Sequence, residues 1–179
     1  PYRRDNMPPP EPPAYAEIVK RHVRDLGTRV IFEPGRLIAG NAGILVARVI
    51  YVKRQSGRTF VIVDGAMNDL IRPTLYDAWH DIAPVVEPAA GAPVQQVDVV
   101  GPVCESGDFF ARDRDLPELK EGDLVYVSTA GAYGAVQSGT YNTRPLIAEV
   151  LVKDDAFHAV RPRQTLEELI GLDRLPPWL

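Results

Sequence analysis

The chain has 179 residues, 20 basic and 24 acidic side chains and a formal charge of −4. Hydrophobic residues make up 45%, the share of a folded chain and too high for a disordered one. The negative balance, with basic runs no longer than pairs such as Arg3-Arg4 and Lys20-Arg21, speaks against a nucleic-acid partner, and no apolar run reaches the ~18–20 residues of a membrane span.

A single cysteine cannot close an internal disulfide, which fits a reducing, cytoplasmic compartment. Seventeen prolines are present, six of them in the first thirteen residues, and no initiating Met opens the chain. The expectation is a piece of a longer protein. Residues 1–13 read as an extended connector, because proline fixes φ and removes a backbone donor. From Ala14 to Leu26, Tyr15, Ile18, Val19, His22, Val23 and Leu26 fall on one stripe at helical spacing, with Gly27 at the stop position. The segment Arg29–Phe32 after this amphipathic helix reads as a short strand, so the chain opens in α/β grammar.

From residue 42 the pattern turns to β. Gly43–Lys53 is aliphatic and β-branched, Gln55–Arg58 is a turn, and Thr59–Val63 returns as the second arm of a hairpin. Further strands are expected over Val94–Val100, Asp123–Val127, Leu146–Val152 and Phe157–Arg161, with a turn at Lys153–Ala156 between the last two. Thr165-Leu-Glu-Glu168 is a capping box that opens a short terminal helix. The sum is a mainly β domain of six or seven strands, a sandwich or barrel, behind a helix and strand with nothing obvious to pack on.

Four segments are poorly explained by folding alone. Phe32–Gly40 holds Glu33-Pro34-Gly35-Arg36, where glycine lets backbone approach a ligand and successive N–H groups favour an anion; the plainer reading is a tight turn with a surface arginine. Val63–Tyr76 is a long excursion with an Arg72/Tyr76 pair, either functional or a helical turn with a solvated arginine. Gly101–Asp108 carries the lone Cys104 beside Glu105 in a polar, glycine-flanked loop, a setting that suits a reactive thiol, although lone cysteines commonly fill cores. Thr129–Asn142 surrounds Tyr133 with small residues, leaving room for a flat ligand, or is a glycine-rich connector with a packed tyrosine. His22, His80 and His158 have no metal-ligand spacing; His22 reads as core or interface, both tryptophans as packing residues, and no metal site is expected. No dinucleotide fingerprint or Walker loop is present.

Taken in order, Glu33-Pro-Gly-Arg36, Met67-Asn-Asp-Leu-Ile-Arg-Pro-Thr-Leu-Tyr76, Cys104-Glu-Ser-Gly-Asp108, Gly131-Ala-Tyr-Gly134 and Tyr141-Asn-Thr-Arg-Pro145 resemble the C-terminal part of the diaminopimelate decarboxylases. These are pyridoxal-phosphate enzymes built like alanine racemase. The resemblance implies that residues 1–41 are the last βα element of a (β/α)8 cofactor-binding barrel whose N-terminal part is absent, and that residues 42–179 are the C-terminal β domain carrying substrate-binding loops. It further implies pyridoxal 5'-phosphate as cofactor, met by the Glu33–Arg36 backbone and by Tyr133. Arg36 and Arg72 would hold the distal carboxylate of meso-diaminopimelate, with Tyr76 bonding to it. Glu105 would face the distal ammonium, Tyr133 would also touch the substrate, and Cys104 would donate the proton that completes decarboxylation to L-lysine. The family's thiol and glutamate reach into the neighbouring subunit's site, which implies a homodimer.

The family's cofactor-bearing lysine has no match among Lys20, Lys53, Lys120 and Lys153, so the isolated chain is expected to be inactive. Two rivals stand beside this reading. One is a related decarboxylase of the ornithine or arginine type, whose substrates lack the distal carboxylate. The other is an inactive β-domain fragment that serves only dimerisation or binding.

Overall fold

The computed structural model describes residues 2–3 and 8–179. Of the connector expected over residues 1–13, positions 1 and 4–7 lie outside the described residues, and positions 8–11 have no regular structure. The connector ends earlier than expected, because Pro12 and Pro13 are the first two residues of helix α1 (Pro12–Val23). Proline is tolerated there, since the first helical N–H groups have no intrahelical partner anyway. The helix stops three residues before Leu26; Gly27 sits at φ +61° in the turn that follows. None of the stripe residues is buried, and His22 is exposed rather than core, its Nδ1 2.7 Å from the Ile18 carbonyl oxygen.

The strand expected over Arg29–Phe32 is absent. A strand exists by its ladder, and no neighbouring strand among the described residues pairs with this segment. Its apolar side chains stay in solvent, Ile31 at 72% exposure. Helix α2 (Gly35–Ala39) and a 3-10 turn (Gly40–Ala42) then lead into the sheet.

Eight strands follow: β1 (Leu45–Gln55), β2 (Arg58–Val63), β3 (Ile82–Pro84), β4 (Val94–Val100), β5 (Phe109–Pro117), β6 (Leu124–Val127), β7 (Glu149–Lys153) and β8 (Ala156–Arg161). The first six make one mixed sheet in the order β3-β6-β1-β2-β4-β5, barrel-like in its curl, and β7 and β8 form a separate hairpin. Strand β1 is long enough to serve two partners, pairing Leu45–Arg48 with β6 and Val49–Gln55 with β2, with an irregularity between Val49 and Tyr51. Such an irregularity bends the strand and turns the sheet back on itself. The β2–β4 pair is parallel, Phe60 opposite Asp98, so a crossover joins them. That crossover carries helix α3 (Arg72–Tyr76) and β3.

Period-two alternation builds the core. Leu45, Ala47 and Val49 of β1, Val61 and Val63 of β2, Val97 and Val99 of β4, and Val125 and Val127 of β6 all point inward, around Phe110 of β5 at 1% exposure. The capping box stands as read: the Glu168 N–H donates to Thr165 Oγ1 at 3.1 Å, the Thr165 N–H donates to Glu168 Oε2 at 2.8 Å, and helix α4 (Leu166–Ile170) begins there. Trp79 is half-buried, with the Arg3 guanidinium 4.1 Å from its ring centroid, whereas Trp178 is 81% exposed and packs on nothing substantial. No helix among the described residues is long and apolar enough to cross a membrane.

Candidate functional site

The loop after β6 folds against the α2 region. The Ala130 N–H donates to the Gly43 carbonyl at 2.8 Å, the Gly131 N–H to the Gly40 carbonyl at 3.2 Å, and the Thr129 hydroxyl to Asn41 Oδ1 at 3.1 Å. Gly131 is required for this closeness: a Cβ there would lie 2.1 Å from the Ala39 carbonyl oxygen. Two residues later Tyr133 sits at φ +59°. That left-handed conformation is rare for an aromatic residue and costs on the order of 1–3 kcal/mol, a strain that clusters at functional sites. Its ring is 43% exposed and is presented rather than packed.

Two arginines from different parts of the chain converge on that ring. Arg36 of α2 has its guanidinium carbon 5.9 Å from the Tyr133 centroid, and Arg72 of α3 has its own at 6.0 Å. Arg36 is exposed, but Arg72 is only 9% exposed, which removes the reading of Arg72 as a solvated surface residue. Arg72 Nη1 lies 2.9 Å from His80 Nε2, and its guanidinium carbon lies 4.4 Å from the Tyr2 ring centroid. Burial pushes the His80 pKa below its ordinary value; its hydrogen bond to the Ser128 carbonyl opposes this, and the nearby Arg72 and Arg114 charges add to it. Cations converging on a half-exposed phenol make a receptor for a carboxylate next to an aromatic surface.

Glu33, Pro34 and Gly35 lead into α2 and are exposed. The Gly35 N–H donates to the Glu33 carbonyl at 2.9 Å, and nothing lies within 4 Å of where a Cβ on Gly35 would be. This exposed turn, with the Arg36 guanidinium and the Tyr133 phenol alongside, offers a cation and an aromatic hydroxyl that fit a phosphate-bearing aromatic group.

The Cys104 loop is held by different residues. Asp108, 4% exposed, accepts from the Met67 N–H at 2.7 Å through Oδ1 and from the Val103 N–H at 2.6 Å through Oδ2. The Thr74 hydroxyl donates to the Gly107 carbonyl. This clamp leaves Cys104 a free, exposed thiol and Glu105 exposed. Glu105 accepts from the Tyr141 hydroxyl at 3.3 Å. The Tyr141 segment is tied down in turn by Asn68, whose side-chain amide donates to the Gly139 and Tyr141 carbonyls at 3.0 and 2.8 Å. Asp69 accepts from the Ala66 N–H at 2.9 Å and lies 3.7 Å from Arg144; its burial raises its pKa above the usual aspartate value.

The structure therefore brings Arg36, Arg72 and Tyr133 together at the open Glu33–Gly35 turn, and carries Cys104 and Glu105 on a second loop that Thr74 ties to α3, the helix bearing Arg72. Among the described residues, no hydrogen bond or ring contact joins the two groups. Tyr76 closes α3 at 59% exposure. His80, Asn68 and Asp108 went unrecognised as supports of the site. A histidine without metal spacing and two polar residues inside longer motifs carry no local mark of such work.

The family described as "Pyridoxal-dependent decarboxylase, C-terminal sheet domain" matches residues 16–131. The diaminopimelate decarboxylase of Zymomonas mobilis is 46% identical over 178 residues, covering 99% of this chain and 42% of that protein. That of Pseudomonas aeruginosa is 51% identical over 175 residues, covering 97% of this chain and 41% of that protein. Among solved structures, diaminopimelate decarboxylase from Helicobacter pylori complexed with L-lysine superposes with a TM-score of 0.85 at 38% identity, over 94% of this chain and 41% of that one. The chain thus spans about two fifths of the length of the relatives it matches.

Proposed function

Since the chain belongs to the pyridoxal-dependent decarboxylases, whose C-terminal sheet domain it carries, we propose that it is the C-terminal part of a diaminopimelate decarboxylase, which converts meso-2,6-diaminopimelate to L-lysine and CO2. The observation that carries this reading is the convergence of Arg36 and Arg72 on Tyr133. A substrate with an amino-acid head at each end needs cations for its distal carboxylate, and guanidinium groups bind a carboxylate through paired N–H donors. An ornithine-type substrate would leave the largely buried Arg72 without an anion, a costly state that selects against it.

In this assignment residues 1–41 close a (β/α)8 barrel and residues 42–179 form the β domain. The Glu33–Arg36 backbone and Tyr133 hold pyridoxal phosphate, which when bound supplies the electron sink for the pair released as CO2 departs. Arg36, Arg72 and Tyr76 grip the distal carboxylate, and Glu105 pairs with the distal ammonium. Cys104 holds a proton at Sγ and delivers it to the substrate α-carbon. The exposed tip of the Cys104–Glu105 loop fits a homodimer in which one subunit's loop completes the other's site. The protein works in the cytoplasm.

The test is steady-state kinetics on the full-length enzyme. Diaminopimelate should be preferred over ornithine by about 10³-fold or more in kcat/KM, and Arg72→Ala should raise KM for diaminopimelate about 10- to 100-fold, as for a lost charged hydrogen bond. A preference for ornithine sinks the assignment. A polypeptide of these 179 residues alone should show no turnover.

A further inference from the structure

We propose that His80 is a positioning residue that aims Arg72 at the substrate's distal carboxylate while leaving the guanidinium its full charge, an inference that rests on the reading above. His80 is completely buried. Its Nδ1 lies 2.8 Å from the Ser128 carbonyl oxygen, which can only accept, so the ring hydrogen sits on Nδ1. The Nε2 lone pair is thereby turned toward Arg72 Nη1 at 2.9 Å, and since a guanidinium can only donate, the imidazole is neutral. The Tyr2 ring completes the brace, with its face 4.4 Å from the Arg72 guanidinium carbon and the His80 ring centroid 5.0 Å away at an interplanar angle of 78°. One N–H of Arg72 is tethered and one face covered, while other donors remain for the side where Tyr133 lies 6.0 Å off.

The choice of partner carries the specificity. An aspartate or glutamate would orient Arg72 equally well, but it would neutralise the charge and compete with a substrate carboxylate. A neutral imidazole orients without competing. The same contact makes the grip sensitive to acid. A protonated His80 would present a second N–H to a donor, and its surroundings decide how strongly that is resisted. Arg72 from α3 and Arg114 from β5 repel the added charge, the adjacent Asp81 favours it, and the Ser128 carbonyl accepts in either state.

The experiment compares variants of the full-length enzyme by kinetics on diaminopimelate and by calorimetric binding of L-lysine, which retains a carboxylate. His80→Leu should raise KM and the L-lysine Kd about tenfold, with a smaller change in kcat. His80→Gln, which keeps a neutral acceptor, should restore both to within about threefold. In the parent enzyme KM should climb as pH falls below the ordinary histidine range, and His80→Gln should lose that climb. Arg72→Ala separates the two claims: unchanged KM and Kd there would refute the carboxylate reading itself. Raised values for Arg72→Ala beside parent-like values for His80→Leu would refute only the positioning role. A His80→Leu variant that loses kcat and melting temperature together, with KM unmoved, overturns the proposal as well. If His80→Leu does not fold, the pH comparison of parent and His80→Gln decides, and an acid climb equal in both overturns it.

Discussion

In the six-stranded sheet, alternate side chains of β1, β2, β4 and β6 meet around Phe110 and are almost wholly withdrawn from water. The β7–β8 hairpin and α4 behave in the opposite way: neither strand nor helix buries a residue, and Leu151, Val152 and Phe157 stand 63%, 66% and 79% exposed. An isolated two-stranded hairpin is marginal in water; Val152 and Phe157 stand opposite one another and share one face, while Leu151 points to the other. One region of this chain packs a core of its own, and the other leaves its apolar side chains exposed. The Cys104 loop belongs to a third kind of order, exposed at its tip but clamped at its base by Asp108 and Thr74.

Because the Cys104 thiol is free and exposed and its proposed task is proton delivery, the largest effect expected anywhere in the molecule falls on rate and not on stability. In the full-length enzyme Cys104→Ala should lower kcat by about 10²- to 10⁴-fold, the span of general acid catalysis, with a melting temperature close to the parent's. A fall in stability with unchanged turnover would assign the thiol to packing instead.

The sheet and the hairpin can be set against each other directly. Phe110→Ala should destabilise the chain by about 3–5 kcal/mol in urea titration, the cost of emptying a large core position. Phe157→Ser in the same 179-residue chain should change stability by no more than about 0.5 kcal/mol. Repeated in the full-length enzyme, Phe157→Ser should cost more than that, and an unchanged value there would mean that the hairpin face stays wet. Between these extremes lies Asp108→Ala, which strips the Met67 and Val103 amides of their acceptor. We expect a loss of about 1–3 kcal/mol, together with faster proteolytic cleavage within residues 101–108.

The parts of this arrangement that were legible in the sequence are those set by local rules. Val94–Val100 and the turn before β2 announce themselves by β-branched alternation and a Ser-Gly pair, and they stand where they were read. Strand β5 did not, because Arg112-Asp-Arg-Asp115 breaks the alternation. In the structure its pairing with β4 shifts register and Asp113 takes φ +51°, so period two fails there for a physical reason. Strand β3, at three residues, is too short to carry a period at all. Of the site, Arg36, Arg72 and Tyr133 could be picked out by their motifs, and the structure brings them together. His80 could not: its meaning lies in a carbonyl 48 residues away and a guanidinium on another element. The first contact is too distant to leave a local pattern, and the second, although only eight residues away, follows no helix or strand period.

The smallest effect is the one that separates local from global order. The Thr165–Glu168 box satisfies two backbone donors at the start of α4, a five-residue helix with no buried residue. Thr165→Ala removes one of them and should cost the helix about 0.5–2 kcal/mol. That cost cannot spread to the sheet, because α4 contributes no side chain to its core. Amide exchange at residues 166–170 should therefore quicken several-fold while exchange in β1, β2 and β4 keeps the parent's rates, as expected for a unit that opens on its own. Matched acceleration in both regions would show that the flanking segments and the sheet unfold as one body, and the contrast between them would then describe exposure alone and not stability.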